Sequence, residues 1–217
     1  MRKDNLLLDS ARPFSDEEKF EKIQGRSESN ISGVPDSCHM SAAGNKMWHV
    51  LRVSYSRELK IQDALCSRGV RTFVPMIWRR KEVAGKVKKL LVPAVNNLCF
   101  AFSDRVFLEN FIRSYGENAP VHFYWERASR SPMVVPSKAM EDFIKVSATL
   151  DEDLIYMTAI SPKLREGQSV KVKSGAFAGI EGKIVRIRKS RRIMVEIPGM
   201  LAVATIFVRP EDVEIVE

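Results

Sequence analysis

Residues Gly167–Ile197 read GQSVKVKSGAFAGIEGKIVRIRKSRRIMVEI. Apolar and basic residues alternate at Val170-Lys171-Val172-Lys173, and alternation resumes at Val185, Ile187, Ile193, Val195 and Ile197. A period of two puts every second side chain on one buried face, as in a half-buried strand. Gly175, Gly179 and Gly182 punctuate the interval between the first runs, where the chain must turn tightly. The stretch predicts a small, strongly bent, basic β-barrel rather than a helical tail.

The rest of the chain is long enough for one large or two small domains at 217 residues. Charged residues are 29% and hydrophobic residues 45%, the balance of a folded chain. No apolar run approaches the roughly 18 residues of a membrane span. The opening MRKDNLLLDSARPF holds only Leu6-Leu7-Leu8 as an apolar run, too short for a signal-peptide core. The expectation is a cytoplasmic protein with no membrane partner. Cys38, Cys66 and Cys99 lie far apart, which speaks against a disulfide framework and a zinc site. Cys66 and Cys99 fall in apolar patterns and are expected in the core.

The formal charge of +8 is uneven. Residues 1–47 carry seven Lys/Arg against eight Asp/Glu, residues 48–162 seventeen against twelve, and residues 163–217 eleven against seven. The basic excess falls on the parts with folded texture, which suits either a phosphate backbone as partner or a solubilising surface.

Residues 1–45 are polar, poor in aromatics and without a sustained period, and are expected to be a loosely ordered extension. Trp48–Val53 then reads as a strand. Ser56 is placed to cap a helix through Arg68, with Ile61, Ala64 and Leu65 on one stripe, and Gly69 suits its C-terminal end. Val70–Glu82 reads as extended, Ala84-Gly85 as a turn and Lys86–Val92 as the return strand of a basic hairpin. Leu98–Phe102 is a buried-strand run, Asp104–Tyr115 a helix, His122–Trp125 a strand, and Pro136–Val146 a third helix. The domains expected are 46–146, an α+β sandwich with a mainly antiparallel sheet, and 164–217, the small barrel, joined by a linker at 147–163.

The Gly167–Ile197 pattern resembles the KOW motif, an SH3-like β-barrel module of elongation factors and ribosomal proteins. The opening Trp-x-Val-x-x-Val strand, the helix after it, the basic hairpin and the third helix are similar to the N-terminal domain of NusG. The runs Val92–Phe102 and Pro132–Pro136 resemble UpxY-type NusG paralogues, found beside bacterial surface-polysaccharide operons. The resemblance covers about residues 46–217. It implies a non-enzymatic elongation regulator, an antiterminator that binds the clamp coiled coil of RNA polymerase. It also implies contact with the non-template DNA strand or nascent RNA, and a barrel that meets a small-subunit ribosomal protein or Rho. A monomer without cofactors is expected.

The family's aromatic polymerase-binding run corresponds to Val95-Asn96-Asn97-Leu98, aliphatic at both aromatic positions. The resemblance makes Val95 and Leu98 the polymerase contact, with Arg52 as rim; the alternative is ordinary sheet core. On the contact reading, Leu98→Glu releases polymerase and spares the fold. Candidate nucleic-acid residues are Arg57, Lys60, Arg68 and Arg71 on or next to the first helix, and Trp78, Arg79, Arg80, Lys86 and Lys88 on the hairpin, where Lys81 and Lys89 add charge. Lysines there would neutralise phosphates and Trp78 would stack on a base, or the lysines guard a strand edge. In the barrel, Phe177 either projects toward a partner or plugs one end, and Arg188 and Arg191 belong to a basic turn. His39, His49 and His122 are scattered, and no P-loop, HExxH or GxSxG motif occurs. A KOW-containing ribosome- or RNA-binding protein is the rival reading.

Overall fold

The alternation that starts at Trp48 makes Met47–Val53 the first strand, β1. The structure, a computed structural model, describes residues 45–83, 86–126, 129–158, 167–187, 190–207 and 209–216. The expected extension therefore lies outside the described residues except for its last position. After β1 come α1 (Glu58–Cys66), β2 (Arg71–Phe73), β3 (Met76–Val83), β4 (Lys86–Pro93), β5 (Leu98–Ser103) and α2 (Arg105–Arg113). Next are β6 (Val121–Phe123), β7 (Trp125–Glu126), β8 (Ser131–Pro132), β9 (Val134–Val135) and α3 (Ser137–Ser147). The last part holds β10 (Ile155–Met157), β11 (Ser169–Val172), β12 (Glu181–Ile187), β13 (Ser190–Ile197), β14 (Leu201–Phe207) and β15 (Val213–Ile215). The fold is α+β, with antiparallel sheets throughout.

The first sheet has the order β2-β5-β1-β6, with β9 also on β1. Alternation gives its central strands two apolar faces. Leu51 and Val53 of β1 and Cys99 and Ala101 of β5 pack with Ile61 and Leu65 of α1 and Leu108 and Phe111 of α2. Trp48, Val50, Leu98 and Phe100 face the other way and join Met140, Phe143 and Val146 of α3. α2 starts where the sequence says: the Asp104 side chain accepts a hydrogen bond from the Phe107 amide at 2.8 Å, pairing a donor that the helix leaves open.

α1 departs from expectation. It begins at Glu58, and Ser56 does not cap it but takes a left-handed φ of 51° beside Tyr55 at 61°. Gly69 is left-handed as expected, with φ 76°. Cys66 is exposed, contrary to the core expectation, because the helix buries Glu58, Ile61 and Leu65 instead. Its Sγ lies 3.0 Å from the Thr72 hydroxyl. Cys99 is buried, and burial pushes its thiol up to about 12. The expected strand His122–Trp125 is split, Trp125 turning into the β7–β8 hairpin.

The second sheet runs β10-β14-β13-β12-β11-β15. Val170 and Val172 are buried and Lys171 and Lys173 exposed, as alternation requires. The expected linker contributes β10, whose Ile155, Tyr156 and Met157 pair with Ala204, Val203 and Ala202 of β14. Among the described residues β10 and β15 are the two edges of this sheet, and no pairing closes it. Its apolar face (Val170, Val172, Ile193, Val195, Ile197, Leu201, Val203) belongs to the same core as Phe143 and Phe100. The described residues thus belong to one compact unit.

Glycine is required at Gly182 by proximity. A Cβ there would stand 2.6 Å from the Met194 carbonyl oxygen and 2.7 Å from Ile193 Cγ2. The carbonyl belongs to the paired β13 and has nowhere to retreat. Gly182→Ala is expected to cost about 1–3 kcal/mol, read as a lower urea midpoint; an unchanged midpoint would refute the tight contact.

Candidate functional site

The register of β1 decides what its face presents. Arg52 lies opposite Leu98 on β5 and opposite His122 on β6, so the three residues share one face of the sheet. Arg52 and His122 are exposed. Tyr124 follows β6, with its amide on the Val50 carbonyl at 2.8 Å, and is 40% exposed. This end of the face is open, cationic and aromatic. Leu98 is only 3% exposed and lies in the shared core. The Leu98 side chain expected to meet a partner is therefore covered, because this half of the face is part of the core that α3 and the second sheet complete. Val95 is half-buried and packs against that core.

The Val95–Leu98 turn is held by a residue that the sequence does not single out. Glu58 of α1 is buried, and its carboxylate accepts the Asn97 amide at 2.6 Å. Asn97 itself has a left-handed φ of 63°, and its carbonyl accepts the Val53 amide. An acidic residue in a helix's first turn was the available signal, but nothing in the sequence says that it reaches 39 residues ahead.

The hairpin β3–β4 is regular from Met76↔Pro93 to Val83↔Lys86. Its eight-residue strands reach about 26 Å at ~3.3 Å per residue. Arg79, Lys81 and Lys88 share one face with Ile77, Leu90 and Val92; Trp78, Arg80 and Lys89 share the other with Leu91 and Glu82. Arg79, Arg80 and Lys88 are exposed and Trp78 is half-buried. Lys86 is placed in β4 only by its backbone, and Ala84-Gly85 lies outside the described residues. Lys89 Nζ stands 5.1 Å from the Trp78 ring centroid, a cation–π contact on the ring expected to stack on a base.

The helix-borne candidates do not join this group. Arg57 lies over the Tyr55 ring at 5.5 Å, and Lys60 is exposed on α1. Arg68 donates to the Ala64 carbonyl at 2.7 Å and covers Phe111 at 5.0 Å. Arg71 covers the buried Trp48 at 5.3 Å. Arg68 and Arg71 make these contacts while remaining exposed.

In the turn between β11 and β12, Phe177 is buried in the core rather than projecting. Arg191 is exposed on β13 opposite Arg186 on β12, and Arg188 lies outside the described residues. The turn after Phe177 is gripped from α3, a second arrangement with no signal in the sequence. Lys138 donates to the Gly179 carbonyl at 3.0 Å, Lys145 to that of Ala178, and buried Asp142 accepts the Glu181 amide at 3.2 Å while pairing with Lys138.

His49 lies on the α2 side of β1 and is buried. Burial first, then the Arg105 charge, lower its pKa from the ordinary 6.5; Asp104 and the Ser103 backbone oppose them. The folded state thus holds the neutral ring. Below 6.5 the unfolded chain takes up the proton first, so stability falls with pH and levels off beneath the folded value. Wild type is expected to lose more stability than His49→Gln between about pH 7.5 and pH 5. Parallel losses in urea titrations would refute the assignment.

Among the described residues no group of three or more His, Cys, Asp or Glu is placed to hold a metal ion. No described helix is long and apolar enough to cross a membrane. No family model matches the chain, and no curated protein does. Among solved structures, one described as "Domain interaction in Thermotoga maritima NusG" aligns with 80% of this chain and 98% of its own, at 20% identity and a TM-score of 0.42.

Proposed function

We propose that the chain is a non-enzymatic transcription elongation regulator that binds RNA polymerase through the open end of its first sheet. The observation that carries this reading is the shared face of Arg52, His122 and Tyr124, exposed beside the Val95 turn. An exposed aromatic and cationic patch beside the half-buried Val95 suits a coiled-coil tip, whose apolar side chains it covers at roughly 25 cal/mol per Å². A few central residues dominate such contacts. The sequence resemblance to NusG supports the same partner. The UpxY-like texture of Val92–Phe102 adds the finer reading, antitermination in surface-polysaccharide operons. The β3–β4 hairpin is the nucleic-acid element of this reading, its cations meeting the phosphates of a single strand. The second sheet is the KOW module, which recruits or excludes a ribosomal protein or Rho.

Affinity capture from a bacterial lysate tests the reading. Core polymerase enriched with the tagged chain supports it. Ribosomes enriched without polymerase favour the rival, a ribosome- or RNA-binding protein, which the exposed Arg186–Arg191 pair also suits.

A further inference from the structure

One of the hairpin's cations, Lys89, is already engaged. Glu152, in the acidic loop Asp151-Glu152-Asp153 between α3 and β10, forms an ion pair with Lys89. Lys89 is the same side chain that lies over Trp78. The Lys89 ammonium, hydrogen-bonded to Glu152, holds that carboxyl below its usual range, and Arg80 adds to the effect. On the other side of the loop, the Asp153 carbonyl accepts Arg192 Nη1 at 2.7 Å, fixing the loop to β13. Between loop and hairpin root lies a cavity of about 290 Å³ whose wall includes Arg79, Glu152, Asp153 and Arg192. Carboxylates thus stand at the hairpin root where phosphates would approach.

We infer that the Asp151–Asp153 loop is an internal competitor for the hairpin. Glu152 holds Lys89 across Trp78 until the backbone of a single-stranded nucleic acid takes the carboxylate's place. The inference rests on the hairpin reading above. Displacement has two effects at once. It frees Lys89 for a phosphate, and it uncovers the Trp78 ring for stacking on a base. The strength of the contact suits exchange, because an exposed ion pair is weak and a strand delivering several phosphates outcompetes one carboxylate. Glu82, on the same hairpin face, is the other carboxylate a strand must pass.

The test is binding of the full chain to a short oligo-dT and to an oligo-rU of equal length, by fluorescence anisotropy at low salt. Glu152→Gln is expected to tighten binding about two- to fivefold, the reach of an exposed ion pair. In the Lys89→Gln background the same change should have no effect. Glu117→Gln, which removes one exposed charge from the turn after α2, should bind as wild type. The oligonucleotide showing the larger gain identifies the strand preferred. Equal binding by wild type and Glu152→Gln would overturn the competitor and leave the hairpin reading intact, as would equal tightening by Glu117→Gln. No binding by either protein would overturn the hairpin reading and the competitor together.

Discussion

Phe143→Ala is expected to lower the unfolding free energy by about 3–5 kcal/mol, the usual cost of deleting a buried phenyl ring. In a chain of this size that corresponds to roughly 6–20 °C in Tm. Phe143 is fully buried on α3. Its ring lies 6.1 Å from Phe73, 6.0 Å from Phe100 and 6.3 Å from Tyr156. Phe73 and Phe100 belong to the first sheet and Tyr156 to the second. One ring therefore joins both halves of the core, and its loss should destabilise both. Urea unfolding followed by tryptophan fluorescence reports on the part of the chain before α3, which holds Trp48 in the first sheet and Trp78 and Trp125 in the two hairpins. Far-ultraviolet circular dichroism reports on the whole chain. Both midpoints should fall together. A shift in one alone would show that the two sheets do not share a cooperative core.

Leu98→Glu is expected to unfold the chain rather than release a partner. Leu98 is 3% exposed within the shared core. Arg52, the cross-strand neighbour of such a carboxylate, has its head in water. Burying such a group costs more than about 4 kcal/mol unless it takes up a proton. Circular dichroism should show loss of structure or a much lower melting temperature, whereas Leu98→Met should cost less than about 1.5 kcal/mol. A native spectrum and near-wild-type melting for Leu98→Glu would mean that the site opens readily, as the resemblance alone implies.

The contrast at Leu98 shows where sequence reading stops. The sequence marks Leu98–Phe102 as a buried strand, and within it Leu98 shares a side with Phe100, which is a local property of a strand. What covers that face is not local. It depends on α3 meeting a sheet whose strands come from much later in the chain, through contacts such as Lys138 to Gly179. The same limit explains β10. Ile155–Met157 reads as a short apolar patch in a polar segment, and only the edge of β14 makes it a strand. β14 itself is buried on both sides, Leu201 and Val203 in the main core and Ala202 against Val185 and Met194. It therefore lacks the alternation that marks a half-buried strand. By contrast, the pairing of β3 with β4 was legible, although the expected run Val70–Glu82 divides into β2 of the first sheet and β3.

The candidate surfaces divide along the same line. Exposed charge on the hairpin followed from its sequence. That Arg71 is spent on Trp48, and Lys89 on Trp78 and Glu152, is tertiary information. The same holds for Tyr124 and His122, which gain their place beside Arg52 only through the pairing of β1 with β6.

The most direct measurement is the affinity of purified core RNA polymerase for wild type and for the Arg52→Glu/Tyr124→Ala double variant. Both substitutions sit on exposed side chains, so the variant should melt within about 2 °C of wild type. Wild type should bind, and the variant about thirtyfold more weakly, the loss expected when a contact worth ~2 kcal/mol is removed. Equal affinity of the two proteins, or no binding by wild type, would contradict the assignment of this sheet end to polymerase.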